Sequence, residues 1–234
     1  MKILAVETSA LSASCALVDR QKIIFEFYTN VGLQHSRTLA PMLESALKCT
    51  EISLSDVDFF AVSKGPGSFT GVRIGISAVK GMAMSLKKPC VGVSTLEALA
   101  YNLESADGVI CPVMDARCGQ VYNALFVFEH GKLKRMCDDR AISVDELEKE
   151  LKKEKKPIIF VGDGAEMCYN ELKDRLECAK LSPEGVRFQR AGSVAKAAAF
   201  ALERGEAVDA QALMPSYLRP PQAVRNLKAK SEEK

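Results

Sequence analysis

Residues 2–28, KILAVETSALSASCALVDRQKIIFEFY, decide the architecture. They hold three apolar runs in succession, 2–6 (KILAV), 13–18 (ASCALV) and 22–28 (KIIFEFY). Each is apolar and too short for a core helix, so the stretch predicts three consecutive strands, the last two joined by a tight Asp19-Arg20 turn. Downstream the period changes. Leu39, Met42, Leu43, Ala46 and Leu47 recur at i, i+3, i+4 spacing and predict a helix from Ser36 or Thr38 to Lys48, with Pro41 in its first turn, where a missing N–H costs least. A strand (59–63, FFAVS), a Gly-rich loop (65–71, GPGSFTG), a helix (70–86), a strand (89–94, PCVGVS) and a short helix (95–102) complete the first half. The order β-β-β-α-β-α-β-α predicts an α/β fold with a mixed sheet flanked by helices.

The second half repeats the theme in reduced form. Strands are expected at 108–116 and 119–129, a charged helix at 146–155, a strand at 157–165, and helices near 166–178 and 193–204. LMPSYLRPP (213–221) must be extended, because prolines forbid helix there. This divides the chain into lobes 1–104 and 105–220, with a cleft between them and a charged tail, 221–234, whose composition predicts disorder.

Composition narrows the function classes. The chain has 234 residues, 47% hydrophobic and 26% charged, with a net charge of +2. A sizeable core follows, and the total gives no strong electrostatic footprint for nucleic acid. No run reaches membrane-spanning length, and the apolar run Ile3–Val6 is too short for a secretory signal. Eight cysteines occur without a CxxC, and only His35 and His130 are histidines, so clustered zinc spacing is absent. Cysteines inside apolar strands act as small hydrophobes, and reduced thiols predict a cytoplasmic protein.

Chemistry-bearing residues gather at strand ends. Glu7, Thr8 and Ser9 close the first strand, where hydroxyl and backbone donors suit a phosphate or satisfy a hairpin. Asp115 and Arg117 close the strand that opens the second half. If the halves are pseudo-symmetric, Glu7 and Asp115 oppose each other across the cleft, as a hydrated Mg²⁺ beside a nucleotide requires; the alternative is a surface Asp115–Arg117 turn. Gly162, Asp163 and Gly164 either bring backbone against a flat ligand or only form a turn. His35 is expected to face solvent or cap the first helix. The loop GPGSFTGVRIG (65–75) is no Walker motif, since no Gly-Lys-Ser/Thr follows; Ser68 or Thr70 caps the helix behind it. Gly71, Gly75, Ala78, Gly81 and Ser85 form a ridge of small residues beside an apolar face of Val72, Ile76, Val79 and Ala83. A helix apolar over more than half its circumference needs burial on two sides, either by a partner or by the helix at 38–48.

ILAVETS, HSRTLAPML, GPGSFTGVRIG, VSTLEALA, MDARCGQVY, GDGA and PSYLR occur in the order seen in the bacterial TsaB (YeaZ) family, which the chain resembles over about residues 1–220. The resemblance implies an actin/hexokinase/Hsp70-like two-lobed fold with a reduced second lobe. It implies a role in forming threonylcarbamoyladenosine on tRNA, as a non-catalytic subunit that pairs with the catalytic paralogue TsaD and is joined by the ATPase TsaE. Pairing, or homodimerisation when alone, would use helices 38–48 and 70–86 through Leu39, Met42, Leu43, Ala46, Gly71, Gly75, Ala78, Gly81 and Met82. The strand matching PCVGVS leads, in the paralogue, into a metal-holding His-x-x-x-His. Here those positions are Thr95 and Leu99, a poor ligand and a non-ligand. No catalytic residue and no metal are therefore expected in this chain, and tRNA is expected to be met only through the complex; Arg219, Arg225, Lys228 and Lys230 are diluted by Glu232 and Glu233. The alternative is an autonomous, kinase-like ATP-dependent enzyme holding ATP or ADP with Mg²⁺ at Glu7, Thr8, Ser9, Asp115, Gly162, Asp163 and Gly164.

Overall fold

The three opening runs form β1 (Lys2–Glu7), β2 (Ala13–Asp19) and β3 (Lys22–Thr29), an antiparallel meander in a computed structural model that describes residues 1–32 and 34–219. The charged tail expected at 221–234 lies outside the described residues. β4 (Phe59–Gly65) and β5 (Cys90–Ser94) continue the sheet in parallel on the other side of β1, giving the order β3-β2-β1-β4-β5. β1 is thus central and buried on both faces, which is why KILAV reads as a continuous apolar run rather than an alternation. Its alternate residues serve two cores. Leu4 and Val6, with Phe60 and Val62 of β4, meet α1 (His35–Thr50) and α2 (Phe69–Leu86). Ile3 and Ala5 face the other way.

α1 begins earlier than the spacing predicts, so Pro41 is its seventh residue rather than part of its first turn. The carbonyl of Arg37 loses its helical donor, but Arg37 and Pro41 are both exposed, so the group is open to solvent. α3 (Thr95–Ala100) follows β5 directly.

The second sheet has the path β10-β7-β6-β11-β12, with β8 paired to β6 and β9 to β8. β6 (Val109–Arg117) is its centre. The single strand expected at 119–129 is two, β7 (Gln120–Asn123) and β8 (Phe126–Glu129). Both keep one register against β6, Val113 opposite Asn123 and Ile110 opposite Phe126. The ladder breaks at Pro112, which has no N–H to offer; the buried Asn123 amide donates to the Pro112 carbonyl instead, at 3.0 Å. Short polar strands such as β9 (Lys132–Arg135) and β10 (Arg140–Ser143) carry too little apolar signal to read from sequence. β11 (Ile158–Val161) and β12 (Ala179–Leu181) run parallel to β6.

α4 (Val144–Leu151) starts two residues before the predicted 146–155 because Ser143 and Glu146 form a capping box: the Ser143 hydroxyl accepts the Glu146 N–H at 3.2 Å, and the Glu146 carboxylate accepts the Ser143 N–H. Ser143→Ala is expected to cost about 1 kcal/mol, read as a lower urea midpoint with an unchanged slope. α5 (Ala165–Leu172) packs on β11 and β12 and ends well before the predicted 178.

The lobe boundary needs correction at the chain's end. The segment assigned to the second lobe includes α6 (Ala191–Glu203), yet α6 covers the free face of the first sheet, with Val194, Ala195 and Ala198 against Ile3, Ala5 and Val91. Its alanines allow a close approach to the strands. The segment after α6 also returns to the first lobe, where Val208 bridges Cys90 and Leu213 is buried. The first sheet thus has helices on both faces, one of them supplied across 90 residues of intervening chain.

Candidate functional site in the interlobe cleft

A cleft of about 860 Å³ opens between the lobes. One wall is the β1–β2 turn at Ser9–Leu11, with His35 and the loop Pro66–Phe69; the other is the end of β6 with Asp115 and Arg117, and Asp163. The predicted residues divide into those that reach the cleft and those that do not.

Glu7 is fully buried beneath the cleft. Its carboxylate accepts the Ser9 N–H at 2.6 Å and the Ser63 hydroxyl. Burial pushes its pKa above the ordinary carboxylate value, against those two donors. Thr8 is buried as well, and its hydroxyl donates to the Gly71 carbonyl at 2.8 Å, fastening β1 to the first turn of α2. Ser9 does line the cleft; it is 1% exposed and its hydroxyl has no hydrogen-bond partner. Asp115 is exposed and takes the surface-turn form, accepting the Arg117 N–H at 2.7 Å and pairing with its guanidinium at 3.6 Å. Asp163 accepts the Gln189 side-chain N–H at 2.6 Å. Burial, reinforced by the Asp115 and Glu7 charges, pushes its pKa up to about 6. Asp163 therefore lies within electrostatic reach of both Asp115 and Glu7. Among the described residues no group of three or more His, Cys, Asp and Glu is arranged to hold a metal ion directly.

The glycines serve the chain's own packing. A Cβ on Gly162 would stand 2.3 Å from the Val113 carbonyl oxygen, and one on Gly164 3.1 Å from the Asp115 nitrogen. Gly162 and Gly164 press the β11–α5 turn against β6 and do not line the cleft, which corrects their assignment to a ligand. The same holds in GPGSFTGVRIG. A Cβ on Gly67 would meet the Ser9 carbonyl at 2.5 Å, on Gly71 the Thr8 carbonyl at 2.0 Å, and on Gly75 the Thr8 hydroxyl at 2.5 Å. Ser68 caps the helix, its hydroxyl accepting the Gly71 N–H.

Five of the nine residues read as an interface are consequently inside the chain. Leu39, Leu43 and Ala46 face the first sheet from α1, and Gly71 and Gly75 face it from α2. Three-to-four spacing marks a face without saying what covers it, and here the nearest apolar surface is the chain's own sheet. Met42, Ala78 and Met82 are half-buried and Gly81 is exposed, so only the Ala78, Gly81 and Ser85 end of the predicted ridge faces outward.

His35 departs from its expected role. Its Nε2–H donates to the Ala10 carbonyl at 2.7 Å, tying α1 to the β1–β2 turn, while its Nδ1 is buried at the cleft without a partner. Thr95 and Leu99 are both buried. The sequence reading misses Gln189, Arg73 and Tyr217. Tyr217 stacks on Phe69, ring centroids 4.8 Å apart, and the Arg73 guanidinium lies 3.8 Å from the Phe69 centroid. Arg219, read only as part of a basic tail, donates to the Ala116 carbonyl at 2.7 Å. PSYLR was visible as a distinct segment, but nothing local says what it touches.

The cleft, the buried Glu7 and the reduced second lobe can now be set beside known proteins. The family model for TsaD, tRNA N6-adenosine threonylcarbamoyltransferase, matches residues 29–227. The tRNA threonylcarbamoyladenosine biosynthesis protein TsaB of Bacillus subtilis is 34% identical over 219 residues, covering 94% of this chain and 94% of that protein. The chain belongs to the TsaB family. Its Escherichia coli member is 36% identical over 124 residues, about half of each chain, and a threonylcarbamoyltransferase of Chlamydia caviae is 30% identical over 145 residues, covering 55% of this chain and 42% of the transferase. A Pseudomonas aeruginosa crystal structure described as similar to the peptidase YeaZ superposes with a TM-score of 0.79 at 28% identity, covering 93% of this chain and 99% of that one. Component A of an Acidaminococcus fermentans 2-hydroxyglutaryl-CoA dehydratase matches with a TM-score of 0.50 at 12% identity over 87% of this chain and 98% of that one, a likeness of fold alone. The two mixed sheets flanked by helices match the α/β architecture that the sequence predicts.

Proposed function

We propose that this TsaB-family chain is a non-catalytic subunit in tRNA threonylcarbamoyladenosine biosynthesis, which docks a TsaD-like paralogue through the outer face of α1 and α2. It homodimerises through the same face when alone. The observation that carries the reading is the uncharged stripe on α2: Ile74, Ala78 and Met82 stay half-buried, with Ser77, Gly81, Met84 and Ser85 exposed around them. The one charge within 74–85, Lys80, is turned aside to the Gln211 carbonyl at 3.1 Å. Small residues let a partner helix approach closely over such a stripe. A TsaE-like ATPase joins the pair, and tRNA is met through the complex. All eight cysteines are unpaired thiols and, among the described residues, no helix is long and apolar enough to cross a membrane, which supports a cytoplasmic setting.

Ala78→Glu places a charge at the centre of the stripe. The variant is expected to keep its melting temperature as a monomer while its affinity for the paralogue, measured by calorimetry, falls by at least 100-fold. Unchanged pairing rejects this face. Reconstitution of modified adenosine that proceeds equally well without the chain rejects the role itself.

The unpartnered Ser9 hydroxyl favours a second reading, a nucleotide in the cleft. Ser9 would meet a phosphate, and Asp115 and Asp163 suit a hydrated Mg²⁺ better than a directly caged one. The loss of Gly162 and Gly164 from the lining removes the expected platform for the base. Calorimetry with ATP and Mg²⁺ that shows micromolar binding and turnover by the lone chain favours this enzyme reading over the first.

A further inference from the structure

The chain's last described segment, Met214–Arg219, lies across the mouth of the cleft and touches both rims. On the first lobe the Ser216 N–H donates to the Lys64 carbonyl at 2.7 Å, and Tyr217 stacks on Phe69 while its hydroxyl accepts the Arg73 Nε–H at 2.8 Å. On the second lobe the Arg219 guanidinium donates to the carbonyls of Ala116 and Arg117, at 2.7 and 3.3 Å. That anchor is a left-handed turn, with φ of 65° at Arg117 and 56° at Cys118. Gly65 is the residue that permits the crossing. At φ +116°, a Cβ there would stand 2.4 Å from the Ser216 carbonyl oxygen. The first glycine of GPGSFTGVRIG is thus matched to a segment 151 positions later.

The fastening is shallow. Leu213, just before the segment, is 3% exposed, whereas Met214 is 64% and Tyr217 39% exposed, and the remaining residues are only half-buried. The segment belongs to no helix or strand, and its backbone bond to β4 is a single one. Few buried apolar contacts and few backbone bonds mark the elements of lowest local stability. Other links between the lobes lie away from this segment: Arg135 pairs with Glu97 at 3.2 Å, and Asn102 holds the Val186 and Phe188 carbonyls.

We propose that Met214–Arg219 is a releasable strap. It lifts as a unit about a pivot after Leu213, while the lobes stay fixed, and lifting removes the Ser216–Arg219 side of the cleft lining. This goes beyond docking by α1 and α2 and does not depend on it.

Amide hydrogen exchange on the full chain tests the strap without a ligand. The Ser216 amide is expected to exchange at least 100-fold faster than the amides of β1 and β4, with little dependence on added urea. In the double variant Tyr217→Ala/Arg219→Ala, exchange at Ser216, Ser9 and Arg117 is expected to rise at least tenfold while β1 and β4 keep their rates. A Ser216 amide as slow as β4 in the unsubstituted chain overturns the proposal, because the segment then opens only with global unfolding. So does a uniform rise at all amides in the double variant, which makes the segment a structural staple. Both results leave the pairing experiment with Ala78→Glu unaffected.

Discussion

Gly71→Ala is expected to destabilise the protein by about 3 kcal/mol, at the top of the range for overpacking. The added Cβ would lie 2.0 Å from the Thr8 carbonyl oxygen, which is backbone and cannot rotate away. The first turn of α2 would have to lift from β1, and the Thr8 hydroxyl would lose the Gly71 carbonyl that it holds at 2.8 Å. Gly81→Ala is the matched control on the same helix. Its Cβ meets open space, so the higher helix propensity of alanine should make that variant neutral or more stable by about 0.5–1 kcal/mol. Urea titrations of the two variants separate steric packing from propensity. Equal midpoints for Gly71→Ala and the unsubstituted chain would dismiss the tight β1–α2 contact.

The second large effect concerns Asp163 and pH. Its folded pKa is raised from 3.8 to about 6, so the folded state binds its proton more tightly than the unfolded chain does. The stability it contributes is fully present below about pH 4 and is lost as pH rises towards 6, remaining absent above. The gap corresponds to about 3 kcal/mol, or about 2 kcal/mol once cleft water is allowed for. Asp163→Asn keeps an oxygen to accept the Gln189 N–H and removes the charge that Asp115 and Glu7 oppose. The variant should be more stable than the unsubstituted chain by about 2 kcal/mol at pH 8 and equal to it at pH 4. Glu7, also raised, acts in the same direction, so some loss of stability with rising pH persists in the variant. The same stability difference at pH 4 and pH 8 would show that the Asp163 carboxyl titrates normally.

The opening strands, the change to helical period at Leu39 and the strand ends at Glu7 and Asp115 could all be read along the chain, because each depends on neighbours within a few positions. Their opposition across a cleft could not be read: Glu7 is buried beneath it and Asp115 takes the surface-turn form. What failed did so where one local signal has two structural causes. A small-residue ridge fits a partner helix or a strand end, and Gly71 and Gly75 found the strand. A Gly-Asp-Gly turn fits a flat ligand or a neighbouring strand, and Gly162 and Gly164 found β6. The capping box of Ser143 and Glu146 is present in the sequence but begins ahead of the charged run 146–155 that predicts α4.

The sequence alone determined the order of elements in the first half and the family, because apolar period, turn chemistry and motif order are properties of short stretches. Tertiary structure decided which side of α2 remains free, why GPGSFTGVRIG needs its glycines, and what roofs the cleft. Those outcomes rest on contacts such as Thr8 to Gly71, Arg219 to Ala116 and Arg73 to Tyr217, whose partners stand 63, 103 and 144 positions apart. Chain folding alone brings such groups together, and no periodicity within either segment records the other.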